Sequence, residues 1–276
     1  MVEIKALAVK SLRDKTGLPM GKCKEALQAT EGDEAAAIEW LRKDNIKVQA
    51  SRSDRETAFG RMGLFTDWEK GVGALVEVLC ESAPVAASAD FIELAADLAK
   101  QLATGKGAAS GDELLAEPSP SKSGQTLGEQ LNDLTNKIRE VFKVGRVLRI
   151  DGKTSGYAHH AGRTVGVLIA VEGGTPEAAK DVCLHIASMS PQVLAKEDIP
   201  AEDIEKEREI LSAAAKTEGK PDNIIPKMVE GRLRNYYAER ALLEQPFVKD
   251  DKKTVGQFAK DNGMKIKSFT LWELGK

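Results

Sequence analysis

Val72-Gly73-Ala74-Leu75-Val76-Glu77-Val78-Leu79-Cys80 is an apolar, β-branched run with a single charge, the pattern of a strand covered on both faces. The next residues, Glu81-Ser82-Ala83-Pro84-Val85-Ala86-Ala87, are small and include a proline without a backbone donor. The ladder must stop there, which predicts a short, stiff loop. Ser88 then caps a helix in which Phe91, Leu94, Ala95, Leu98 and Leu102 recur at helical spacing, with Glu93, Asp97 and Lys100 toward water. A stiff loop between two anchored elements meets another protein at little ordering cost.

The run has an echo. Val165-Gly166-Val167-Leu168-Ile169-Ala170-Val171 repeats the pattern of 72–78. Each copy follows a Gly-containing strand, Phe59-Gly60-Arg61-Met62-Gly63 in one case and Ser155-Gly156-Tyr157-Ala158-His159 in the other. Each precedes an amphipathic helix, and the second, over 176–189, turns Ala179, Val182, Cys183 and Ile186 inward. Two strand, strand, helix units predict an α+β fold of two related lobes, one over 55–142 and one over 143–276. The division falls near the Gly/Ser/Pro-containing stretch 105–124 and a helix over 127–142.

Upstream, Ile4, Leu7, Ala8 and Leu12 read as one helical face, closed by Thr16-Gly17. A second helix starts near Pro19 and runs through Met20, Cys23, Ala26 and Leu27 to Thr30; Met20 fits core packing of the bundle as well as it fits a contact surface. A third follows the cap Asp33, with Ala37, Ile38, Trp40 and Leu41 inward. Residues 1–50 thus form a small three-helix bundle, and 48–56 its polar linker. Near the other end, helical segments 202–218 and 222–243 meet at Gly219-Lys220-Pro221 as a hairpin. Its facing residues are Ile204, Leu211 and Ala214 against Ile225, Val229, Leu233 and Tyr236. A helix over 254–262 and a strand over 265–274 return to the second lobe.

With 42% hydrophobic and 30% charged residues, the 276-residue chain has the composition of a soluble globular protein. A formal charge of −3 and a pI near 5.8 supply no global basic field for indiscriminate phosphate binding. Cys23, Cys80 and Cys183 lack any C-x-x-C spacing, which argues against a disulfide framework or structural zinc and fits a reducing cytoplasm. No signal-peptide core and no bilayer-length apolar run is read, so a membrane is not expected as partner. Gly152-Lys153-Thr154 imitates the end of a phosphate loop, but Val147 stands where its first glycine belongs. His159 and His160, adjacent on a strand, point to opposite faces and cannot share a metal. Without a nucleophile elbow or a Ser/His/Asp order either, the chain reads as a protein that performs no bond chemistry and carries no cofactor or metal.

At Thr16-Gly17-Leu18-Pro19-Met20-Gly21-Lys22-Cys23-Lys24-Glu25-Ala26-Leu27 the sequence strongly resembles the elongation factor Ts family, guanine-nucleotide exchange factors for elongation factor Tu. The likeness continues through Glu31-Gly32-Asp33, Cys80-Glu81, Gly162-Arg163, Ala187-Ser188-Met189-Ser190-Pro191, Met228-Val229-Glu230-Gly231-Arg232 and Gln245-Pro246-Phe247-Val248. It implies that the bundle is a ubiquitin-associated-like module, the lobes a dimerisation domain and the hairpin a coiled-coil arm. The implied partner is elongation factor Tu, GDP-bound and nucleotide-free. Arg13, Met20, Cys23 and Lys24 resemble residues that contact its GTPase domain; His159, Arg163 and Val248 resemble further contacts. Ser82, Ala83, Pro84 and Val85 occupy the place of the family's Thr-Asp-Phe-Val, the segment associated with displacing Mg²⁺ from the partner. Here Ala83-Pro84 supplies neither the carboxylate nor the aromatic ring, and Asp90 and Phe91 lie on the following helix and cannot replace them.

Two other classes stay open. A nucleic-acid-binding module would use Lys227, Arg232, Arg234, Tyr236, Tyr237 and Arg240, cations interleaved with aromatics on one hairpin helix. An enzyme would have to use His159 or Cys23, and Cys23 also fits ordinary helix packing. A homodimer through the core or the hairpin is likewise open.

Overall fold

The computed structural model describes residues 4–50 and 55–276, with backbone only for residue 42 and residues 45–50. Helices α1 (Ala6–Thr16), α2 (Met20–Ala29) and α3 (Glu34–Ala50) enclose Val9, Leu12, Leu18, Cys23, Ala26, Leu27, Ala37 and Leu41. Gly17 ends α1 in the left-handed region at φ 67°, its N–H bonded to Arg13 O at 2.7 Å. Asp33 Oδ1 caps α3 by accepting from Ala36 N at 3.0 Å. Leu7, expected inward, is 80% exposed; at about 100° per residue it lies about 140° round the helix from Leu12. Met20, which fits either core or surface by sequence, begins α2 and is 47% exposed. The linker expected over 48–56 gives way to α3 as far as Ala50, and residues 51–54 lie outside the described residues.

Strands β1 (Phe59–Asp67) and β2 (Val72–Cys80) pair as a hairpin. A one-turn helix α4 (Ala83–Ala86) and the long α5 (Ala89–Thr104) follow, then α6 (Gly111–Leu115), α7 (Leu127–Ile138) and β3 (Lys143–Asp151). The predicted stiff loop is therefore a helical turn, with Pro84 in its first two positions, where the missing N–H costs no bond. β3 pairs with β2, giving a first sheet of order β1-β2-β3. The lobe boundary expected at 142/143 thus cuts this sheet, and division by sheets falls after Asp151.

The second sheet contains β4 (Thr154–His159), β5 (Val165–Gly173) and, later in the chain, the return strand; between them come α8 (Pro176–Met189), α9 (Ala201–Thr217) and α10 (Ile225–Arg240). The chain then forms a small ladder of β6 (Pro246–Phe247) and β7 (Asp250–Thr254), α11 (Val255–Asp261) and finally β8 (Met264–Glu273). Its order is β4-β5-β8. In the hairpin of α9 and α10, Ala215 and Tyr237 join Ile204, Leu211, Ile225, Val229 and Leu233. The sequence had turned Ala214 and Tyr236 to that seam.

Period-two alternation explains why both central strands are apolar throughout. Val72, Ala74, Val76, Val78 and Cys80 pack on Phe91, Leu94 and Leu98 of α5, while Val167, Ile169 and Val171 pack on Ala179, Val182 and Ile186 of α8. The opposite faces bring Met62, Leu75 and Leu168 together between the sheets. The repeated glycines make room for this. A Cβ on Gly166 would stand 2.7 Å from Leu75 Cδ1, and one on Gly73 would stand 3.0 Å from Leu168 Cδ1. Leu75 thus fills the space left by Gly166, and Leu168, together with Thr154, whose Oγ1 would be nearer at 2.6 Å, fills the space left by Gly73.

A charged side chain, Arg146, crosses between the sheets. Arg146 of β3 donates from Nη2 to Glu77 Oε1 at 2.6 Å and from Nε to Glu77 Oε2 at 3.0 Å. Nη2 also reaches Glu273 O at 2.8 Å, and the guanidinium lies 5.0 Å from the Trp272 ring centroid. Glu77, the single charge of the apolar run, is only 6% exposed and sits at a bulge between Val76 and Val78. Asp97, expected toward water, is also 6% exposed. It accepts from Ser121 Oγ and, at 2.9 Å, from Gln130 Nε2.

Helix α5 sits directly on β1, because a Cβ on Gly63 would stand 2.1 Å from Ala95 O. Gly63→Ala is therefore expected to cost at least the upper part of the ~1–3 kcal/mol typical of overpacking, since backbone must move. Gly166→Ala meets only side-chain atoms of Leu75 and Met62 and should cost less. Urea unfolding curves check that order; equal or reversed losses would contradict it.

Candidate functional site

Turn α4 is fastened at both ends. Glu140 accepts from Ser82 N at 3.1 Å and from Ser82 Oγ at 2.6 Å. Cys80 Sγ donates to Ser82 O at 3.3 Å. At the far end Arg61 Nη1 donates to Ala86 O at 3.3 Å, and Ser88 Oγ caps α5 by accepting from Phe91 N. Val85 packs on the first core, while Ala83 and Pro84 face solvent. Phe91 is fully buried, so it stays below the turn. The only sequence sign of this buttressing was the cap at Ser88; Glu140 lies 58 residues from Ser82.

Beside the turn opens a cleft of about 550 Å³, with Phe59, Arg61, Ala83 and Ala86 on one side and His160 and Arg163 on the other. The two lobes therefore bring Arg163 to the same cleft as the 82–85 turn. Arg163 is held by Ala187 O at 2.9 Å and Ser190 Oγ at 3.0 Å. His159 does not line the cleft; its Nδ1 stands 3.0 Å from Tyr157 Oη. Its neighbour His160 does. Burial, the Arg61 charge and His159 push the His160 imidazole down to about 4, and its buried Nδ1 has no partner among the described residues.

On the bundle, Arg13, Met20 and Lys24 are exposed. Cys23 is not: it is fully buried, with its thiol 3.7 Å from Thr16 Oγ1 and 3.6 Å from Leu18 O. It therefore presents no atom to a partner and serves as bundle core. Val248 is 50% exposed, and its N–H donates to Nδ1 of the buried His185 at 3.2 Å. The sequence reading missed His185 and Arg61. The available signal was a histidine among the apolar residues of the 176–189 helix.

The cationic strip of α10 is half occupied. Arg232 pairs with Glu218 at 2.8 Å, Arg240 with Glu239 at 3.3 Å, and the Arg240 guanidinium lies 3.8 Å from the Tyr236 ring centroid. Tyr237 packs inside the hairpin. Lys227 and Arg234 make no ion pair among the described residues. Among those residues, no group of three His, Cys, Asp or Glu side chains could hold a metal, and no helix is long and apolar enough to cross a membrane.

Of the candidate residues, Ala83 and Arg163 border one cleft, Arg13, Met20 and Lys24 are exposed on the bundle helices, Val248 is exposed on the second lobe, and Cys23 is buried. A family model described as Elongation factor TS matches residues 84–276. Relatives named Elongation factor Ts include those of Kineococcus radiotolerans, 39% identical over the full length of both chains, and Methylococcus capsulatus, 38% identical over all of this chain and 93% of its own. That of Micrococcus luteus is 37% identical over the full length of both. The chain belongs to the elongation factor Ts family of translation elongation factors.

All three cysteines are buried. Burial pushes the Cys80 thiol up to about 11 and the Cys183 thiol up to about 12. At pH 8 the thiolate fraction of Cys80 is on the order of 0.1%. A thiol-reactive chromophore should leave the native protein unlabelled for minutes and label three thiols at once in denaturant. Rapid labelling of any native thiol would contradict this arrangement.

Proposed function

We propose that this chain is a guanine-nucleotide exchange factor that binds elongation factor Tu·GDP, promotes GDP release and so permits GTP to enter. Family membership supports the partner, and the exposed, doubly fastened α4 turn is the observation that carries the mechanism. An exchange factor must bind the nucleotide-free GTPase more tightly than the GDP-bound form, and linkage then weakens GDP by the same factor. Moving a site from nearly full to nearly empty takes a differential of about 5 kcal/mol. GDP is held in large part through Mg²⁺ and the phosphate cradle, so displacing the elements that carry the Mg²⁺ ligands is an effective place to apply it.

In this reading Pro84 and Val85 press between those elements of the partner. Arg13, Met20 and Lys24 set the docking angle, Arg163 contacts the partner across the cleft, and Val248 makes a separate apolar contact. Because Ala83-Pro84 replaces the Asp-Phe of the resembled motif, the push is steric and carries no charge of its own. Rigidity then matters more. The bonds from Glu140 to Ser82 and from Arg61 to Ala86 supply it, so little ordering entropy is spent on contact. The bundle acts as a ubiquitin-associated-like module, the hairpin as a coiled-coil arm, and the setting is the cytoplasm. The pairing of Arg232 and Arg240 within the hairpin weighs against a nucleic-acid role for α10.

Pro84→Gly removes the rigid ring while leaving the anchors of the turn in place. Stopped-flow release of a fluorescent GDP analogue from elongation factor Tu of the same cell should slow about tenfold, or ~1.4 kcal/mol in the barrier, with the complex still isolable. Unchanged release rates would discard the wedge.

A further inference from the structure

The inner face of α8 is apolar except at one position. His185 is fully buried beside Val182 and Ile186, and burial pushes its imidazole below the usual histidine range, with the bond to Gln245 acting in the opposite sense. A buried polar ring needs partners, and both of those it has lie in residues 245–248. Val248 N–H donates to Nδ1 at 3.2 Å, which makes Nδ1 the acceptor and places the ring proton on Nε2. Nε2 then donates to Gln245 Oε1 at 2.9 Å.

The segment alternates as this pinning requires. Gln245 and Phe247 are buried, whereas Pro246 and Val248 are exposed. Phe247 stacks on Phe258 with ring centroids 4.1 Å apart and lies 5.8 Å from the His185 ring. Lys249 closes the end through an ion pair with Asp181 at 2.6 Å. With Phe247 fixed below and the Val248 amide fixed by Nδ1, the Val248 side chain is aimed at solvent. The Val248 side chain needs no local partner for this orientation.

We propose that His185 is a positioning residue for partner binding: its Nδ1 holds the Val248 backbone so that the valine side chain stands out as a preset apolar knob for a complementary apolar pocket on the partner. The inference rests on the reading of Val248 as a contact with elongation factor Tu. Fixing the knob before contact removes an ordering cost from binding, so its loss appears mainly as faster dissociation.

The test measures dissociation of the full-length chain from nucleotide-free elongation factor Tu of the same cell, for Val248→Ala, His185→Gln, His185→Asn and the double variant Val248→Ala/His185→Gln. A glutamine side chain reaches the Nε2 position and keeps the bond to Gln245 but offers nothing at Nδ1; asparagine places its carbonyl near Nδ1. His185→Gln should dissociate about tenfold faster, His185→Asn less than about threefold faster, and in the Val248→Ala background His185→Gln should add less than about twofold. The same tenfold loss in both backgrounds, or none in either, would overturn the positioning role. An unchanged rate for Val248→Ala alone would instead remove Val248 from the interface and with it the reading on which the proposal stands. Amide hydrogen exchange of the wild-type chain is a second readout that needs no variant. The Val248 amide should be protected despite its half-exposed side chain, and exchange at the rate of an open loop would overturn the proposal.

Discussion

The structure depends on the close approach of two sheets, and that approach is possible because each central strand lacks a side chain where the other strand's leucine arrives. Leu75 fills the space beside Gly166, and Leu168 the space beside Gly73. The relation is reciprocal, so the two halves of the repeat specify each other. Interiors are packed as densely as organic crystals, and even one added methyl group at either glycine would meet atoms of the facing sheet within 3.0 Å. The Arg146 group, bonded to Glu77 in one sheet and to the Glu273 carbonyl in the other, adds a directional tie at the edge. Burying Glu77 is tolerable because its carboxylate has two charge-assisted bonds.

That fixed relation gives the surface its shape. Turn α4 projects from the first sheet and the 160–164 loop from the second, and both border one cleft. A change in sheet spacing would move one rim against the other. In the proposed wedge role such a frame is an advantage, because a yielding turn would absorb the deformation itself. Cys23 illustrates the complementary economy of the bundle: it is spent on holding the bundle together, leaving Arg13, Met20 and Lys24 on the outside.

Much of the frame was legible in the sequence because it follows from local pattern. The repeat at Val72 and Val165, the 176–189 helix with its true ends, the cap at Ser88 and the left-handed Gly17 all follow from periodicity or backbone sterics. What escaped depended on distant neighbours. Asp97 looked solvated because helical spacing cannot foresee Ser121 and Gln130 folding over it. The lobe boundary at 142/143 missed that β3 belongs with the first sheet, because its pairing is set by β2, more than sixty residues earlier. His185 passed unnoticed since its two partners lie 60 and 63 residues downstream. The motif of 82–85 was singled out through resemblance, whereas its helical form and its anchor at Glu140 are properties of the folded chain alone.

In the exchange role proposed above, the chain acts thermodynamically, by preferring the vacant conformation of a GTPase to the loaded one. Equilibrium binding of the full-length chain to elongation factor Tu of the same cell, measured with the GTPase stripped of nucleotide and again with saturating GDP and Mg²⁺, tests it most directly. The account predicts an isolable complex with the empty GTPase and an affinity lower by several powers of ten for the loaded one, in keeping with a coupling of about 5 kcal/mol. Equal affinity for both forms, or no complex with the empty form, would contradict it.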